Sequence, residues 1–151
     1  SIYINREGIT FENDEISDRA YYAPMLDKIH LPRIDQFGNT AEYYSTAFHE
    51  ATHSTGHHKT LNRFGNGTAL AAFGSEDYSK EELVAEIGSA CILHRMGIET
   101  PNSFKNSVAY IQSWLEALRN DKQMVIGAAS RAEKAVALIL NLKSAEETDA
   151  E

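Results

Sequence analysis

The chain has 151 residues, 42% hydrophobic and 24% charged, the size and composition of one soluble globular domain with a sizeable core. Its formal net charge of -8 argues against direct nucleic-acid binding, because phosphate contacts need clustered Lys and Arg. No apolar run is long enough to span a membrane, and the N-terminus has no signal-peptide pattern.

The chain opens on Ser1 rather than Met, as expected of a processed protein or a domain cut from something longer. Residues 1–14 predict a β-hairpin, with Ile2 and Ile4 alternating with polar neighbours and Gly8 in a turn before Ile9-Thr10-Phe11. Residues 19–26, with Tyr21, Tyr22 and Pro24, predict no clear element. Lys28-Ile29-His30-Leu31 alternates polar and apolar residues and ends on Pro32, which predicts an edge strand. Such an edge could be purely structural or could pair with an extended substrate peptide.

A helix is expected from Asn39 or Thr40, both good caps, to about Ser54, with Gly56 stopping it. Residues 55–74, rich in Gly, Asn and Thr, read as a long loop, a feature often functional in compact domains and able here to cover a site and make it latent. A second helix runs from about Ser79 to Met96 before Gly97, with Leu83, Ile87, Ala90 and Cys91 at helical spacing. Cys91 is the single cysteine, so no internal disulfide can form, and a reducing, cytoplasmic compartment is expected. Pro101-Asn102-Ser103 opens a third helix whose Tyr110, Trp114 and Leu118 share a face, which assigns Trp114 to the core. A fourth helix follows Asn120-Asp121 and carries Val125, Ile126, Ala129, Ala132, Ala135, Val136 and Ile139. Residues 144–151 are polar and acidic and read as a frayed tail. Strands first and helices after give an α+β domain over residues 1–143.

The chemistry concentrates in His49-Glu50-Ala51-Thr52-His53 on the first helix. Histidines four apart lie on one helical face, so both imidazoles can reach one metal ion. Glu50, beside the first histidine, is placed to take a proton from the attacking water, the working core of a zinc hydrolase. A catalytic zinc takes three protein ligands. In the three-histidine extension of this motif, Gly56 fits but the last position is Lys59, so only His57 or His58 could substitute. The other candidates are Glu81, Glu82 and Glu86 on the second helix. Ser79-Lys-Glu-Glu-Leu-Val-Ala-Glu86 resembles the gluzincin pattern E-x-x-x-D, which matches Glu82 to the ligand and Glu86 to the carboxylate that orients a ligating histidine. Glu stands at 86 where that pattern has Asp, which leaves a swap of the two roles open. A purely structural role for Glu82 is also open, because Ser79 with Glu82 reads as a helix capping box.

Wider matches carry a resemblance. They include Ala23-Pro24 with Asp27-Lys-Ile-His-Leu-Pro32, Tyr43-Tyr44-Ser-Thr46 leading into the histidine motif, Leu61-Asn-Arg63, Phe73-Gly-Ser75, Tyr78 with Glu81–Glu86, and Asn106-Ser107, Tyr110 and Ser113-Trp114-Leu115. In these the chain resembles the zincin-like metallopeptidase domain of ArdC/TraC-type antirestriction proteins and of phage and plasmid polyvalent proteins. The resemblance implies a minimal gluzincin fold, with a small twisted sheet over the motif helix and further helices behind. It implies Zn2+ as cofactor, a bacterial mobile-element setting with delivery to a recipient cell in view, and a separate N-terminal domain that binds single-stranded DNA.

The expected activity is peptide-bond hydrolysis with His49, His53 and Glu82 on zinc, Glu86 behind a histidine, and Glu50 as general base. His57, His58, Tyr78 and Tyr110 are the candidates to stabilise an oxyanion. The competing expectation is a metal-stabilised domain that binds a protein partner without cutting it.

Overall fold

A computed structural model describes residues 2–64 and 75–142, so the expected tail at 144–151 and residues 65–74 of the expected loop lie outside the described residues. Ile2–Glu7 form a short helix, α1, which corrects the expected hairpin. The period of two was misleading: Ile2 is 83% exposed, and the residue between the isoleucines, Tyr3, is the buried one. Tyr3 reaches the core through its ring and ends in a hydrogen bond to Ser54 Oγ at 2.9 Å. Gly8, at φ +66, closes α1, with its own N–H and that of Ile9 donating to the carbonyls of Asn5 and Ile4.

Three short strands follow, β1 (Thr10–Glu12), β2 (Tyr21–Ala23) and β3 (Lys28–His30). The order is β1-β3-β2, with β3 parallel to β1 and antiparallel to β2. The Lys28–His30 strand is therefore central, not the expected edge. Pro32 does not prevent this, because it lies beyond the ladder, which on the β1 side ends with the Leu31 N–H donating to Glu12 O at 2.8 Å. Ile29 and Leu31 are fully buried beneath α2.

Helix α2 (Thr40–Ser54) begins where expected, with Asn39 as cap accepting from the Glu42 N–H. Helix α3 (Glu76–Arg95) starts earlier than expected, on Ser75, whose side chain accepts from the Tyr78 N–H. Ser79 is thus inside the helix and the Ser79–Glu82 capping box does not exist; Glu82 must have another reason to be where it is. Gly97, at φ +69, ends α3. Helix α4 (Pro101–Ala117) starts on a Thr100–Ser103 capping box, and α5 (Lys122–Leu140) on Asp121.

Two apolar clusters hold these elements. One joins the sheet and α1 to Tyr43 and Ala51 of α2, Ile92 of α3, and Val136 and Ile139 of α5. The other packs Leu83 and Val84 of α3 against Leu118, Ala128 and Ala132. On α5 the inward alanines are Ala128, Ala132 and Ala135, while Ile126 is exposed. Between the clusters α2 and α3 touch at Gly88, where a Cβ would come within 2.7 Å of the Thr52 side chain. The absent side chain sets how close the two helices lie, and that spacing places the acids of α3 over the histidines of α2.

Candidate metal centre

His49 and His53 lie one turn apart on α2 and meet edge-on, their ring centroids 4.7 Å apart and their Nε2 atoms 3.1 Å apart. Glu82, arriving from α3, puts one carboxylate oxygen 3.1 Å from His49 Nε2 and the other 3.2 Å from His53 Nε2. Among the described residues these three form the one group whose donor atoms could converge on a metal ion. Ligand atoms that share a tetrahedral metal at zinc–nitrogen and zinc–oxygen distances stand ~3.3 Å apart, so the separations fit.

The far side of each ring fixes its tautomer. His53 Nδ1 faces Glu81 Oε1 at 3.1 Å, and His49 Nδ1 faces Glu86 Oε1 at 3.3 Å. Each Nδ1 donates to its carboxylate, so a ring that gives up its other proton to become neutral loses it from Nε2 and presents that lone pair inward. Two imidazole lone pairs and a carboxylate oxygen then point at one spot, and this donor set fits a divalent cation.

Glu81 and Arg63 were not singled out as a pair by the sequence. Arg63 grips Glu81 with two N–H groups, at 2.9 Å from Nε and 2.8 Å from Nη2. Its remaining donors reach Thr55 Oγ1 and the carbonyl of Thr52, each at 2.7 Å, at the C-terminal end of α2. One buried guanidinium therefore ties the end of the histidine helix to the acid behind His53. The available signal was the count of acids: three glutamates within six residues on α3 for only one ligand position.

Electrostatics follow from this packing. Burial opposes charge on His49 and His53, but the carboxylates outweigh it and hold the pKa of His49 up to about 10 and of His53 up to about 9. Burial would likewise raise Glu82 and Glu81, yet hydrogen bonds from His49 and His53 to Glu82, and from His53 and Arg63 to Glu81, hold both below the usual carboxylate range. Glu50 is 7% exposed, and its burial pushes its pKa up against the lowering influence of both histidines. A backbone hydrogen bond from Tyr22 orients it toward β2.

His57 and His58 stand apart from this group, their rings 4.2 Å from each other and His57 bonded to the Pro24 carbonyl. Lys59, in the third-histidine position of the extended motif, pairs with Asp27 instead. Gly56 does not take a left-handed conformation; it is small because the Phe64 ring lies where a Cβ would be, at 2.5 Å. Of the oxyanion candidates, Tyr78 hydrogen-bonds Glu82 and Tyr110 lines the cleft over His49. Trp114 is not simply a core residue, since it also walls that cleft, which has a volume of about 300 Å³, and meets Tyr78 edge-on at 5.8 Å.

The family described as zincin-like metallopeptidase matches residues 2–131. The chain is 43% identical over 128 residues to DNA primase TraC of Escherichia coli, covering 84% of this chain and 11% of that protein. The crystal structure of antirestriction ArdC protein from the R388 plasmid in its Mn(II)-bound state is similar with a TM-score of 0.70 and 39% identity, covering 93% of this chain and 50% of that one. Its metal-free structure gives 0.69 at the same identity. The chain thus spans half the length of ArdC and about a tenth of TraC.

Proposed function

The chain belongs to the zincin-like metallopeptidase family, and on that premise we propose that it is a zinc-dependent peptidase domain of the gluzincin type, serving antirestriction or another mobile-element function in a bacterial cytoplasm. The observation that carries the reading is the buried, ionisable Glu50 beside three convergent lone-pair donors. His49, His53 and Glu82 would hold the metal, with Glu86 and Glu81 fixing the tautomers of the two histidines. A divalent cation bound there acidifies water and polarises a carbonyl. The related ArdC structure is Mn(II)-bound, which supports a divalent cation, and two imidazoles with one carboxylate suit zinc.

The work of the chain itself is proton transfer. Glu50, raised in pKa by burial, accepts the proton of the attacking water and returns it to the leaving amine. Tyr110, at the cleft wall, is the group able to donate to a developing oxyanion without giving up a contact to Glu82, as Tyr78 would have to.

A second reading has the same metal supporting a protein-binding surface without cleavage, and the antirestriction designation of ArdC keeps it in view. The test is digestion of a denatured-protein peptide mixture by the zinc-loaded chain and by Glu50→Gln, read by mass spectrometry. The parent should cut and the variant should keep its zinc and not cut. Equal cleavage by both sinks the mechanism, and no cleavage by either moves the conclusion to the binding reading.

A further inference from the structure

The cleft over His49 does not end there. A second cavity of about 270 Å³ shares Ser45, Thr46 and Tyr110 with it and runs on along the seam between α2 and α4. On α2 the seam is the stripe Glu42, Thr46, His49, and on α4 the stripe Ser103, Ser107, Tyr110, each at helical i, i+3/i+4, i+7 spacing. Among the described residues neither cavity is lined by a lysine or an arginine, and the formal charge at the far end is Glu42.

The Glu42 carboxylate is a held group. Its Oε2 accepts from the Gly38 N–H at 3.2 Å, in space that a side chain on Gly38 would contest. Among the described residues Oε1 has no hydrogen-bond donor and is left for another one. Across the seam Ser107 is 8% exposed, lines the cavity, and its hydroxyl makes no hydrogen bond among the described residues. Asn106 lines the same cavity, so its wall carries a carboxylate, a hydroxyl and an amide, a set that can receive an ammonium or guanidinium group.

We propose that the α2–α4 seam is a substrate subsite that takes a lysine or arginine side chain of the peptide on Glu42. The proposal rests on the peptide-hydrolysis reading above. Seven residues of helix place Glu42 about 10 Å along α2 from His49. An extended peptide advances ~3.3 Å per residue, so the basic residue sits two or three positions from the scissile bond.

The test uses fluorescent peptides that differ only in having Lys, norleucine or Glu at those positions. Binding is measured by anisotropy to the zinc-loaded Glu50→Gln chain, which separates recognition from turnover. The Lys peptide should bind roughly fivefold more tightly than the norleucine peptide, the size of one partly exposed ion pair, and the margin should shrink as salt is added. Glu42→Gln keeps an acceptor for the Gly38 N–H, so the helix cap survives, and should abolish the margin. Ser107→Ala should reduce it. Equal binding of the three peptides, or a margin that survives Glu42→Gln, overturns the subsite. Failure of the parent to cleave any of them, with the binding margin intact, would instead remove the hydrolysis and leave the subsite standing.

Discussion

Glu81 stands 3.1 Å from His53 Nδ1 while its other contacts belong to Arg63, so the orientation of one histidine depends on an arginine ten residues beyond it in the chain. Removing Arg63 leaves a buried carboxylate without its cation and frees the end of α2. Arg63→Ala and Glu81→Ala should each weaken metal binding about 10- to 100-fold, the usual size for an outer partner of a metal-bound histidine. Because the two act through one contact, the double variant should lose little more than the worse single. Competition with a chromophoric chelator measures this, and additive losses would mean the two residues act separately.

The three acids of α3 should rank by their contacts. Glu82 faces both Nε2 atoms, whereas Glu86 and Glu81 each face one Nδ1. Glu82→Ala should abolish stoichiometric zinc, and Glu86→Ala should only weaken it. Metal content after dialysis decides, and better retention in Glu82→Ala than in Glu86→Ala would exchange their roles.

Gly88 permits the α2–α3 contact that brings these acids to the histidines. A methyl group there meets the Thr52 side chain at 2.7 Å, and Thr52 is fully buried and hydrogen-bonded to the Phe48 carbonyl. Gly88→Ala should destabilise the fold by about 1–3 kcal/mol through overpacking. It should also lower metal affinity, because the helices separate at the site. Denaturant melts with and without zinc would read both effects, and an unchanged affinity would show that the spacing is not set at Gly88.

Metal uptake should release protons. Without metal the carboxylates hold His49 and His53 above the ordinary histidine value, to about 10 and about 9. Their folded-state pKa values lie above the unfolded ones, so the stabilisation from these protons is full below pH ~6.5 and is lost as pH rises through the folded values. A metal ion needs the neutral rings, so its affinity should rise with pH across the neutral range. Calorimetry in buffers of different ionisation heat should show proton release on zinc binding at pH 7. Zinc binding with no buffer dependence would contradict it.

The Glu50 carboxylate must be ionised to accept a proton, and burial raises its pKa. The acid limb of any peptide hydrolysis should therefore lie above the ordinary carboxylate pKa of ~4.3. A limb at or below that value would point to a different base.

Local pattern carried much of this protein. The four long helices are legible, with the cap at Asn39 and the starts at Pro101 and after Asp121, because period and cap chemistry act within a few residues; the Thr100 cap emerged only in the structure. So is the pairing of His49 with His53, since a turn of helix alone brings them together. The sequence also raised Glu82 and Glu86 as candidates, though it could not dismiss a capping role for Glu82; that role falls because Ser75, not Ser79, caps α3.

What the tertiary structure decided is everything that depends on distant segments meeting. Six residues at the N-terminus are too few for period to separate helix from strand, and burial of Tyr3 chose the helix. The strand at Lys28–His30 became central because β1 came to its open side, a pairing no local residue records. Arg63 met Glu81, and Gly88 met Thr52, only once α2 and α3 had packed. Sequence alone set His49, Glu50 and His53 on one helix and the three acids on another, since backbone geometry fixes neighbours at three and four residues. The distance between those helices, and with it the site, came from side-chain volume at their contact.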